Sequence, residues 1–152
     1  MTLDDLIVKL NHILTLTSNV SIASDTLRDY NSDDWTKYII DTRRQVCYEG
    51  TNNTTESHTN YTKNLIYRNN IYEIFLISWD EGAMTSLHNH PENGCILKIL
   101  DGLLIETRQT PLDEKILNVG DISHINHNTY HKIKSIEKTY SLHIYSPPMF
   151  YS

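Results

Sequence analysis

The chain has only two cysteines, Cys47 and Cys95, among its 152 residues. That is too few for a disulfide framework, and a reducing compartment keeps both as thiols, so each needs a separate explanation. No apolar run approaches the roughly 20 residues needed to cross a bilayer. The opening stretch MTLDDLIVKL carries aspartates where a secretory signal would carry basic residues. The thirteen lysines and arginines are scattered, under a formal net charge of -6, so no face is laid out for phosphate or nucleic acid. Internal repeats and low-complexity segments are absent as well. A soluble, cytoplasmic protein is expected, with neither a membrane nor a nucleic acid as partner. The Asn-x-Ser/Thr triplets NVS and NYT then carry no information, because glycosylation requires a secreted chain.

What is present suits one domain over residues 1–152, long enough for a sizeable core at 39% hydrophobic and 21% charged content. Leu3, Leu6, Ile7, Leu10, Ile13 and Leu14 fall at helical spacing, with Thr2 placed to cap and Asp4 and Asp5 in the first turn. A second helical piece is expected in SDDWTKYII, with Ser32 as its cap and Trp35, Tyr38 and Ile39 on one face. Residues 1–48 thus form a helical N-terminal part, and the polar stretch 49–60, which contains His58, reads as a surface loop. From residue 61 to 148 the texture is that of strands: NLIYR, YEIFLISW, CILKIL, LLIETRQ, HKIKSI and SLHIYS alternate with turn signals. Asp101-Gly102 between Leu100 and Leu103 predicts a two-residue hairpin, since the pair supplies the positive φ of a type I′ turn. The fold class is mainly β, a sandwich or small barrel with helices packed at one end.

The chemistry centres on TSLHNHPENGCILKILDG. On a strand, His88 and His90 would point to the same face, where two imidazoles can converge on one ion. Gly82 stands six positions before His88, Cys95 five after His90, and Gly102 seven after Cys95. Gly120 precedes His131 by eleven positions. These spacings resemble the two motifs of the cupins, with Cys95 at the position of the first motif's glutamate. In the second motif Asn126, Asn128 and Ser135 replace the usual proline, glycine and asparagine. The resemblance implies a cupin jelly-roll β-barrel with a metal held by His88, His90 and His131. On composition alone, His124 or His127 could equally serve as the third ligand.

Within the cupins the chain resembles the cysteine dioxygenases, from about Tyr61 to Pro148. Cys95 falls at the family's cysteine, and SLHIYSPP matches the C-terminal signature, supplying His143 and Tyr145. The resemblance implies a thiol dioxygenase that takes a small thiol and O2, uses ferrous iron (Fe2+), and functions in cysteine catabolism. It further implies a thioether crosslink between Cys95 and Tyr145, with His143 orienting the tyrosine hydroxyl. Dropping the glutamate has a physical logic: three neutral imidazoles leave the ion's charge uncompensated and half of an octahedral shell open, so an anionic thiolate can bind. The implied reaction turns L-cysteine into its sulfinic acid. Alternatives are a dioxygenase of another small thiol such as 3-mercaptopropionate, or a non-catalytic metal-binding cupin.

The family's Tyr-x-Arg grips the substrate carboxylate, and here YTKNL offers Tyr61 and Lys63. Lysine keeps the charge but not the bidentate fork. Arg68, five residues on, would lie on the opposite face of an uninterrupted strand. His12 reads as an exposed helix residue, Cys47 as a buried thiol and Trp79 as barrel packing.

Overall fold

The computed structural model describes residues 1–17, 19–39, 45–48, 60–109 and 111–149, with the backbone alone at 45–48 and 60. The loop reading of 49–60 and that of His58 lie outside the described residues, as does the side chain of Cys47. The first helix, α1 (Leu3–Leu16), opens on a capping box in which the Thr2 hydroxyl accepts from the Asp5 amide and the Asp5 carboxylate accepts from the Thr2 amide. Leu3, Leu6, Leu10 and Leu14 are buried along one stripe, and each burial contributes about 1.5–3 kcal/mol. A short helix α2 (Ser24–Arg28) and two 3-10 turns, Val20–Ala23 and Asp34–Tyr38, complete the helical part. The second of these falls where a capped helix was expected. Asp33 occupies its N-cap without a side-chain bond, and the Ser32 hydroxyl instead donates to the Met1 carbonyl. Trp35 and Tyr38 still pack on the helical core.

Nine strands follow: β1 (Gln45–Tyr48), β2 (Asn60–Arg68), β3 (Glu73–Trp79), β4 (Cys95–Asp101), β5 (Leu103–Arg108), β6 (Asp113–Asn118), β7 (Ile122–Ile125), β8 (His131–Ser135) and β9 (Thr139–Tyr145). Strand structure therefore starts at Gln45, inside the part read as helical. The strands form a six-stranded sheet ordered β1-β2-β3-β9-β4-β7 and a three-stranded sheet ordered β6-β5-β8. Between the sheets lies one core, in which Phe75, Ile77, Trp79, Cys95, Leu97 and Ile99 meet Leu104, Leu117 and Ile133. The other face of the large sheet, through Ile74, Ile96, Leu142 and Ile144, buries the leucines of α1. Strands covered on both faces lose the polar-apolar alternation of a half-exposed sheet, which explains the continuous runs IFLISW and CILKIL.

The predicted hairpin does not form. β4 pairs with β7 and β9, while β5 pairs with β6 and β8, so Asp101-Gly102 carries the chain from one sheet to the other. Gly102 has φ of 97°, and a Cβ there would stand 2.3 Å from the Thr139 hydroxyl. That hydroxyl accepts from the Leu103 amide at 3.0 Å. The crossing thus needs glycine for space as well as for its dihedral. Among the described residues no helix is long and apolar enough to span a membrane.

Candidate metal centre

His88 and His90 do not lie on a regular strand. The segment from Gly82 to His88 runs irregularly alongside β8, with the Thr85 amide donating to the Ile133 carbonyl at 2.9 Å. At its end His88 and His131 form an isolated antiparallel bridge, exchanging backbone bonds of 2.9 and 3.0 Å. Direct opposition brings these two side chains together, and His90 joins from the loop beyond. The ring centroids are 4.7 Å apart for His88 and His131, 5.0 Å for His88 and His90, and 4.4 Å for His90 and His131. One nitrogen from each of the three lies within 4.8 Å of the others. His124 and His127 stand outside this group: the His127 Nδ1 donates to the His90 carbonyl at 3.0 Å, and His124 lies against Gly94. His12 is exposed on α1.

Hydrogen bonds place a proton on Nδ1 of two of the imidazoles. His88 Nδ1 is 2.8 Å from the Ser86 carbonyl, which can only accept, so Nδ1 carries the hydrogen. His131 Nδ1 is 2.7 Å from Oε2 of Glu106, which is fully buried. Burial works to raise the Glu106 pKa. The hydrogen bond from His131, the charges of His131 and Arg108, and the Ser123 hydroxyl outweigh it and hold the group below the usual carboxylate range. Glu106 is therefore a carboxylate, and His131 donates to it. The remaining nitrogens, Nε2 of His88 and Nε2 of His131, face each other at 3.1 Å. Two lone pairs at that distance repel unless a shared proton or a metal cation lies between them, and His90 adds a buried Nδ1 with no hydrogen-bond partner. Burial, followed by the charges of His131 and His88, brings the His90 pKa down to about 2, so His90 is a neutral imidazole. The donor set suits a divalent metal ion.

Behind the histidines, Cys95 and Tyr145 are directly paired across β4 and β9. Cys95 is buried and Tyr145 half-buried, and desolvation keeps both protonated. The Cys95 thiol is pushed up by desolvation, only partly opposed by the Lys63 charge, and the Tyr145 phenol is raised first by burial and then by Cys95. Beside them runs a chain of hydrogen bonds. The Trp79 indole donates to the Ser141 hydroxyl at 2.8 Å, and Ser141 Oγ lies 2.7 Å from His143 Nε2. His143 Nδ1 lies 3.3 Å from the Tyr145 oxygen. Ser141 has no other acceptor among the described residues, so its proton goes to Nε2 and His143 presents Nδ1–H to Tyr145. The phenol also hydrogen-bonds the Cys95 sulfur. Burial, then the Lys63 charge, holds the His143 pKa well below its usual value, which preserves this neutral arrangement.

Tyr61 is buried and stacked on Trp79, with centroids 4.8 Å apart. Lys63 lies on the same face of β2, its ammonium 5.5 Å from the Tyr145 ring centroid and 5.7 Å from that of Phe75. The structure thus brings Tyr61, Lys63, Cys95, His143 and Tyr145 into the inner core beside the three histidines. Trp79, read as packing, also supplies the hydrogen bond that starts the chain to Tyr145. Sequence reasoning missed Glu106, Arg108 and Ser141. The signal was parity: Glu106 follows buried Leu104 by two positions on β5, which places a carboxylate on the inner face.

A jelly-roll pair of sheets with three histidines converging inside it defines a cupin. Solved cupin-type folds agree: an RmlC-like cupin from Shewanella frigidimarina superposes with a TM-score of 0.52 at 15% identity, covering 78% of this chain and 91% of its own. KdgF from Halomonas sp. gives 0.54 at 19% identity, over 59% and 80%. The family described as Cysteine dioxygenase type I matches residues 2–151, and the chain belongs to it. A cysteine dioxygenase type 1 from Danio rerio is 29% identical, over 97% of this chain and 75% of that protein. The Bos taurus protein of the same name is 33% identical, over 58% and 52%. The chain spans about half the length of the mammalian relatives it matches.

Proposed function

We propose that this protein oxidises L-cysteine with O2 to cysteine sulfinic acid, using ferrous iron held by His88, His90 and His131. The observation that carries the reading is the coincidence, in one core, of three converging imidazoles with a cysteine paired directly to a tyrosine. Bound iron would supply the open coordination positions at which thiol sulfur and O2 meet. In the net reaction R–SH and O2 give R–SO2H: the sulfur loses four electrons, O2 gains them, and both oxygen atoms end on sulfur.

The chain's own residues do the rest. Lys63 and Tyr61 receive the substrate carboxylate, the lysine as a point charge. Tyr145, kept neutral by burial and oriented by His143 and Ser141, holds a proton at its phenolic oxygen. Cys95 is not a metal ligand, and it forms a thioether with the Tyr145 ring. The sulfur loses S–H, the ring loses C–H, and O2 takes up the two electrons and two protons. A second reading, 3-mercaptopropionate as the preferred thiol, is favoured by Lys63 standing where the family has arginine.

Oxygen uptake by iron-loaded protein tests the reading with cysteine, 3-mercaptopropionate and cysteamine. Turnover is expected with the thiol acids, with the sulfinic acid as product. Aerobic incubation with substrate should also lower the intact mass by about 2 Da and join the Cys95 and Tyr145 peptides irreversibly. A chain that binds metal but consumes no oxygen with any thiol is a non-catalytic cupin.

A further inference from the structure

The strand carrying Lys63 is interrupted, and the interruption repositions Arg68. Along β2 and β3 the register runs Lys63 with Ile77 and Leu65 with Phe75, then shifts so that Tyr67 meets Ile74 and Arg68 meets Glu73. One extra residue, Ile66, is taken up in the bulge. An unbroken strand would put Arg68 on the outer face, whereas the bulge returns it to the face of Lys63.

Arg68 there begins a row that crosses the sheet. Arg68 pairs with Glu73, Glu73 with Tyr145, and Tyr145 with Cys95. Directly paired residues share a face, so the guanidinium stands in the same row as the phenol and the thiol. Lys63 starts two rows away, but its ammonium leans over the rings of Phe75 and Tyr145, and this brings the two cations toward each other.

The hydrogen bonding shows what remains available. Arg68 Nε donates to Glu73 Oε1 at 2.8 Å, and the Met149 amide donates to Glu73 Oε2 at 3.1 Å. Both oxygens of this buried carboxylate are thereby engaged, and the guanidinium is fixed in direction. Its two Nη groups have no acceptor among the described residues, and neither has the Lys63 ammonium. Lys63, Arg68 and Glu73 together carry one net positive charge, which matches a single carboxylate.

We infer that Arg68 is a second carboxylate anchor of the pocket, supplying from two rows along the same face the guanidinium fork that position 63 lacks. The site then selects small thiol acids through Lys63 and Arg68 together. This rests on the proposed thiol chemistry, and the test separates the two. Anaerobic titration of metal-loaded protein with 3-mercaptopropionate and with cysteamine reads binding without turnover, and oxygen uptake reads KM and kcat.

Arg68→Gln should weaken 3-mercaptopropionate binding and raise KM for thiol acids by about tenfold, the scale of one charge-assisted contact, with cysteamine unmoved. Because Arg68→Gln leaves Glu73 buried without its cation, Arg68→Gln with Glu73→Gln provides a variant free of that strain, and it should show the same selective loss. Wild-type affinity for 3-mercaptopropionate in the double variant, or an equal loss for cysteamine, overturns the role of Arg68. Selective binding without oxygen uptake in the wild type would instead overturn the dioxygenase reading and leave Arg68 as an anchor.

Discussion

Two lysines on opposite faces of the six-stranded sheet are treated in opposite ways. Lys98, on the outer face of β4, is 3% exposed, and its ammonium donates to the carbonyls of Leu27, Arg28 and Tyr30 and to Asn31 Oδ1. It ties the end of α2 to the sheet. The pKa falls through desolvation, with Arg28 adding to the effect, but every donor has an oxygen. Lys63, on the inner face, has ring faces beside it and no acceptor among the described residues. A buried cation saturated by backbone carbonyls completes a fold. A half-buried one left unsaturated beside the histidine cluster is open to a ligand that brings its own oxygens.

The largest effect is expected in the inner core, where His131→Ala should weaken metal binding by more than about 100-fold while His127→Ala leaves it intact. Metal analysis after dialysis checks this, and full loading of the His131 variant would remove the histidine cluster as the centre. Next, Lys98→Met orphans several buried carbonyls and should lower stability by about 3 kcal/mol, roughly 10 °C in melting temperature. Lys63→Met should change the melting temperature of metal-free protein by no more than about 2 °C. Similar losses from the two would erase the distinction between them. The smallest effect belongs to Glu106→Gln, which keeps an acceptor for His131 Nδ1 but removes the charge. Its affinity for Zn2+ or Co2+, measured against a chelator, should fall about tenfold, and an unchanged affinity would make Glu106 a packing residue.

Much of this arrangement was legible because alternation is local. The leucine stripe of α1, the cap at Thr2 and the strands around CILKIL and SLHIYS follow from period and residue type. β6 was harder to read: of DEKILN only Leu117 is buried, so it carries almost no apolar signal. Arg68 was assigned to the wrong face because parity counting assumes an unbroken strand, and NLIYR contains no glycine to announce the bulge. Glu106 passed unnoticed because its partner His131 lies on another strand, and no local pattern links them.

Sequence alone therefore determined which side chains share a face of each unbroken strand, where the glycines permit a sharp turn, and that His88, His90, Cys95 and His131 fall at the spacings of the two cupin motifs. Only the tertiary structure decided that Asp101-Gly102 crosses between sheets, that Cys95 lies opposite Tyr145, that a carboxylate stands behind His131 and that Arg68 faces inward. Side-chain direction comes from the local geometry of the backbone, which neighbouring residues set. The choice of which strands become neighbours is made by burying both faces of the large sheet at once, an energy that depends on the whole chain.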